Sequence, residues 1–60
     1  MKTEVYYRSE KGFVPIEVSK WVRDPKSNRL EVEAKVLRTV GPYTKGETAR
    51  FAWSHVVRFN

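Results

Sequence analysis

Ser54 stands directly before His55, the only histidine of the chain, and a serine beside an imidazole is the raw material of a nucleophile and its base. That chemistry needs the two side chains at hydrogen-bond distance and a third group to orient the ring. Neighbours on a strand point to opposite faces, and the lone aspartate, Asp24, belongs to a distant turn. The pair therefore reads as a structural corner, and no enzyme is expected. One histidine and no cysteine cannot furnish a transition-metal shell, so no metal or other cofactor is expected either. Glu31 and Glu33 share a face about 7 Å apart as i and i+2 strand neighbours. Beside Trp21 and Lys35 they read as a solvated surface. The stretch Gly41-Pro42-Tyr43-Thr44-Lys45-Gly46 ends in Lys-Gly but lacks the glycine spacing and strand-to-helix setting of a phosphate loop, so it reads as a hairpin loop.

What remains is charge and aromatic surface. Twelve Lys and Arg against seven Asp and Glu leave a net charge of +5 over 60 residues, a bias toward polyanionic partners. The cations are spread along the chain without a block of like sign, so no disordered basic tail is indicated. No apolar run approaches the roughly 20 residues that cross a bilayer, and Lys2-Thr3-Glu4 does not open a signal-peptide apolar segment. A cytoplasmic protein with no membrane partner is expected. Without cysteine, stability must come from one thin core and backbone hydrogen bonds.

The elements that position these residues follow from punctuation and alternation. Turn residues recur along the whole chain, the rhythm of an all-β meander within one domain over 1–60. Thr3 to Arg8 is rich in aromatic and β-branched residues and reads as strand one. Phe13 to Arg23 is strand two, with Val14, Ile16 and Val18 inward; Pro15 lacks a ladder donor and marks an edge or bulge. Asp24-Pro25-Lys26-Ser27-Asn28 is a strong turn. Strand three has the clearest signal, with Leu30, Val32, Ala34 and Val36 alternating with Glu31, Glu33 and Lys35. A hairpin through the turn pairs Arg23 with Arg29, Trp21 with Glu31, Val22 with Leu30, Val18 with Ala34 and Ile16 with Val36. A second hairpin through Gly41 to Gly46 sets Phe51 beside Val36, Trp53 beside Ala34 and, outside, Arg50 beside Leu37. Both registers agree on which side is core. Glu47 to Trp53 is strand four. Ser54-His55 then breaks the alternation, where a hydroxyl commonly bonds a nearby N–H, and Val56 to Phe59 is a short fifth strand.

Phe51-Ala52-Trp53-Ser54-His55-Val56-Val57, a strand, a short turn around a small residue and a serine, then a strand beginning with valine, resembles the tail of SH3-like barrels. It is similar to the pattern of the PRC-barrel and Sm-like families, with Ala52 where they often carry proline. Val5-Tyr6-Tyr7-Arg8 resembles the opening strand of the retroviral integrase C-terminal domain, an SH3-like DNA-binding module. The resemblance implies an all-β, five-stranded antiparallel SH3-like barrel with a short turn before the last strand. Ser9 to Gly12 is too short to carry the loop motifs of peptide-binding SH3 domains.

In such a barrel the loops Ser9 to Gly12 and Gly41 to Gly46 emerge at one end and gather Arg8, Lys11, Arg38, Tyr43, Lys45 and Arg50. The cations there can neutralise phosphates, and Tyr43 offers a ring on which a base could stack. The other end holds Arg23, Lys26 and Arg29, with Trp21 on the outer face, and an anion between Arg23 and Arg29 would relieve their repulsion. Glu31 and Glu33 keep a phosphate backbone off the outer face of strand three. We therefore expect a non-enzymatic module that binds DNA or RNA through its rims with weak sequence preference. The alternative is a protein-interaction module, a small inhibitor or adaptor of the kind phages and mobile elements encode. It would dock through an edge strand and Trp21, or form a homodimer through the last strand, where Val57 and Phe59 alternate with Val56 and Arg58.

Overall fold

Alternation of apolar and polar residues sets five strands in a computed structural model that describes residues 4–59: β1 (Glu4–Ser9), β2 (Gly12–Arg23), β3 (Leu30–Val36), β4 (Thr48–Ala52) and β5 (Val56–Phe59). A single 3-10 turn, Trp53–His55, joins β4 to β5. The all-β, five-stranded antiparallel class expected from the sequence is the one the chain adopts, in the hydrogen-bonded order β4-β3-β2-β1-β5. Strand one was expected to begin at Thr3, which lies outside the described residues. Among the described residues no helix is long and apolar enough to cross a membrane.

The twelve-residue β2 is the hinge of the architecture. Its first part pairs with β1, from Ser9↔Gly12 to Tyr6↔Pro15, and from Ile16 onward it pairs with β3. Pro15 sits where the partners change, and its carbonyl accepts the Leu37 N–H at 2.9 Å. A proline is tolerated there because the switch leaves its missing donor outside a continuous ladder. The sheet thereby folds over its own inner face, and Tyr7 of β1 meets Phe51 of β4 at 4.7 Å between ring centroids although the two strands share no ladder. Val14, Ile16, Val32, Ala34, Val36 and Phe51 are the buried core, all on the side the alternation assigns to it.

Two registers differ from the expectation. The β2–β3 ladder runs as expected for Ile16↔Val36, Glu17↔Lys35 and Val18↔Ala34, then slips by one residue at Ser19. Beyond the slip Lys20 faces Glu33, Trp21 faces Val32, Val22 faces Glu31 and Arg23 faces Leu30. Arg23 and Arg29 are therefore not opposed. The cause is a β-bulge: Ser19 is the extra residue, and its hydroxyl donates to the Glu33 carbonyl at 2.9 Å. The second hairpin pairs Val32 with Phe51, Glu33 with Arg50 and Ala34 with Ala49, a slip of four residues that preserves every face. Its connection is the whole span 37–47 instead of a loop from Gly41 to Gly46. That span carries its own bridge between Val40 and Tyr43, and the Gly46 N–H and the Glu47 carbonyl both return to Val36.

The Asp24 turn forms as read. Asp24 accepts from the Lys26 N–H and the Ser27 hydroxyl, both at 3.0 Å, and Asn28 takes the left-handed conformation at φ 60°. These two donors, the Lys26 N–H first, hold the Asp24 carboxyl below the ordinary range. The 3-10 turn is closed by the backbone, Val56 N–H to Trp53 carbonyl, and no hydrogen bond of the Ser54 hydroxyl is found among the described residues.

Candidate nucleic-acid interface

The bulge decides where the candidate surface lies. Residues paired across an antiparallel ladder share a face, so Trp21, now opposite Val32, belongs to the inner side and not to the outer face expected for it. At that end the inner side opens to solvent. Trp21 meets Trp53 at 4.2 Å between centroids and a 56° interplanar angle, yet stays 53% exposed. On Trp53 the Arg58 guanidinium carbon stands 5.7 Å from the ring centroid, within cation–π reach. Arg58, Trp53 and Trp21 thus make one cluster with an open indole.

The turn beside this cluster carries the other cations. Arg23 reaches the Asn28 carbonyl through Nη1 at 2.9 Å, which ties its guanidinium to the turn. Lys26 and Arg29 are exposed, and Arg29 shares a shallow groove with Leu30, Trp53 and His55. The one carboxylate of the turn, Asp24, is engaged by turn donors. A base laid on Trp21 would have phosphate-binding groups on hand without a competing carboxylate facing it.

The opposite end gathers fewer of its expected members. The loops do emerge together, since a Cβ on Gly41 would stand 2.8 Å from Lys11 Cγ. Arg8, Lys11 and Tyr43 line one cleft with Tyr7, Glu10 and His55. Tyr43 is not a free platform, however. It is half-buried, 5.7 Å from Tyr7 and 5.9 Å from Phe51, and burial, aided by the neighbouring Tyr7 hydroxyl, pushes its phenol above the ordinary value. Lys45 lies in the 37–47 span, where its N–H bonds Thr39 Oγ1 at 3.0 Å, and Arg38 in the same span is exposed. Arg50 is on neither rim. It faces Glu33 on the outer side, and Glu33 stands between Lys20 at 3.9 Å and Arg50 at 4.0 Å.

Ser54 and His55 are both exposed, and His55 packs edge-on to Tyr7 at 6.2 Å. No set of three His, Cys, Asp or Glu side chains lies close enough to hold a metal ion among the described residues. Sequence reasoning assigned Trp53 to the core and gave Arg58 no role. The sequence offered only the adjacency of two apolar residues, Trp21 and Val22, either of which fits the inner phase. No protein family, curated protein or solved structure matches the chain, so the function is argued from these residues.

Proposed function

We propose that the protein is a non-enzymatic nucleic-acid-binding module whose contact surface is the Trp21–Trp53–Arg58 cluster with Arg23, Lys26 and Arg29. The observation that carries the reading is the half-exposed Trp21, backed by a second indole and a cation, in a position where ordinary folding would hide so large an apolar ring. Base stacking on such a ring contributes about 1 to 3 kcal/mol and tolerates any base, which suits weak sequence preference. Stacking needs an unpaired base, so single strands should bind more tightly than duplexes.

Both indoles report on the site, so tryptophan fluorescence titrated with single- and double-stranded oligonucleotides at two salt concentrations is the direct test. Binding should quench the signal and weaken log-linearly with salt, and Arg29→Ala should reduce the slope by about one. No quenching at low salt refutes the reading. Protein binding that persists through the salt series would point instead to an adaptor docking through Trp21 or the β5 edge.

A further inference from the structure

On the far side of the molecule the outward face of β1 carries Glu4, Tyr6 and Arg8, the alternate residues to Val5 and Tyr7, which pack on the core. Tyr6 is the centre of three rings. It lies 6.3 Å from Phe13 of β2 and 5.6 Å from Phe59 of β5, while Phe13 and Phe59 are 6.1 Å apart, all edge to face. Phe13 and Phe59 remain 48% and 47% exposed, and Tyr6 is flanked in register by Val57 and Pro15, so the cluster continues into apolar surface on both sides. A cluster of this kind on the solvent side of a sheet is the signature of a surface that meets another.

The order of charges along β1 selects the occupant. Read along the strand, the face runs carboxylate, ring, guanidinium, with the charges about 13 Å apart over four residues. A copy rotated by two-fold symmetry about an axis in the plane of contact, perpendicular to β1 and passing over Tyr6, runs antiparallel. It sets Glu4 against Arg8 of the second copy and Arg8 against its Glu4, with Tyr6 on Tyr6. The parallel arrangement would oppose like charges. The Tyr6 hydroxyl donates to Glu4 Oε1 at 2.7 Å, which already holds the carboxylate over the face. We infer that this face is a self-complementary homodimer surface, closed by the Tyr6–Phe13–Phe59 cluster and specified by reciprocal Glu4–Arg8 pairs. It differs from pairing along the β5 edge, because side chains and not ladder hydrogen bonds make the contact, and it does not depend on the nucleic-acid reading.

Sedimentation velocity over about 5 to 500 µM protein tests it. The parent chain should dimerise. Glu4→Arg or Arg8→Glu should weaken the dimer about tenfold or more, since each makes two opposed pairs repulsive, whereas the double reversal should return to within about threefold of the parent. An equimolar mixture of the two single variants should dimerise more tightly than either alone, a result that general stickiness cannot produce. All these side chains point outward, and circular dichroism checks that each variant folds. Phe13→Ser and Phe59→Ser, which leave the charges in place, should also abolish the dimer. A parent that stays monomeric throughout, a dimer indifferent to the reversals or to the serine variants, or a mixture that associates no more tightly than either variant alone overturns the proposal.

Discussion

Phe51→Ala is the most demanding perturbation of this fold, because Phe51 is where the folded-over sheet meets itself. The ring is 3% exposed, lies opposite Val32 in the ladder, and packs 4.7 Å from Tyr7 and 5.9 Å from Tyr43. Removing a buried phenylalanine costs about 3 to 5 kcal/mol. A domain of 60 residues has only about 3 to 9 kcal/mol in total at the usual stability per residue. The alanine variant should therefore lie near its unfolding midpoint without denaturant. Phe51→Leu keeps most of the volume but loses the ring contacts, and should cost about 2 kcal/mol. Urea unfolding followed by tryptophan fluorescence measures both, at a concentration low enough that association plays no part. Phe13→Ala is the control, because that ring faces outward and its loss should cost about 1 kcal/mol or less. If Phe51→Ala is no more damaging than Phe13→Ala, the assignment of inner and outer faces is wrong, and with it the position of Trp21.

Trp21→Ala should weaken oligonucleotide binding by about 5- to 150-fold, the equivalent of one lost stacking contact, while moving the melting temperature by only a few degrees, as read by fluorescence titration and thermal melts. Asp24→Asn should lower the melting temperature at neutral pH and converge with the parent in acid. The carboxyl is held low by the Lys26 N–H and then the Ser27 hydroxyl, so its contribution is full above the ordinary aspartate range near 4 and is lost as pH falls below it; melts from about pH 2 to 7 check this. Gly41→Ala should destabilise by about 1 to 2 kcal/mol in urea unfolding, because the residue sits at φ +56° and the new Cβ would crowd Lys11 Cγ and Cβ, the stiff root of that side chain.

Much of this fold is legible in the chain because period-two alternation is a local signal. Val32, Ala34 and Val36 could be assigned inward from their neighbours alone, and the Asp24 turn is written in side chains that bond their own backbone. The bulge was not legible for a physical reason. Trp21 and Val22 are adjacent and both apolar, so either fits the inner phase, and the choice is made by a hydrogen bond from Ser19 to a carbonyl fourteen residues away. The span 37–47 misled in a milder way. Its glycines mark real turns, but the inner bridge from Val40 to Tyr43 consumes residues that a plain hairpin would give to the ladder. The four-residue slip that results kept every face correct while moving Arg50 from the rim to Glu33. The candidate site suffered most, since Trp53 and Arg58 acquire their role only once Trp21 has changed sides.

The same slip also explains where the positive charge goes. On the outer side of β2, β3 and β4 the corrected register sets Lys20, Lys35 and Arg50 among Glu17, Glu31 and Glu33, three cations against three carboxylates, and that surface is neutral. The ion pairs at Glu33 are long and exposed, so they contribute little stability. Their effect is on the far field, because a balanced surface neither attracts nor repels a polyanion. The excess gathers at the turn end, where Arg23, Lys26, Arg29 and Arg58 stand against Asp24, while in the cleft at the other end Arg8 and Lys11 stand with Glu10. Of these two ends, only the first joins its greater excess to an open indole. A polyanion guided by charge would therefore arrive where a base has something to stack on, and long-range attraction and short-range contact select the same face.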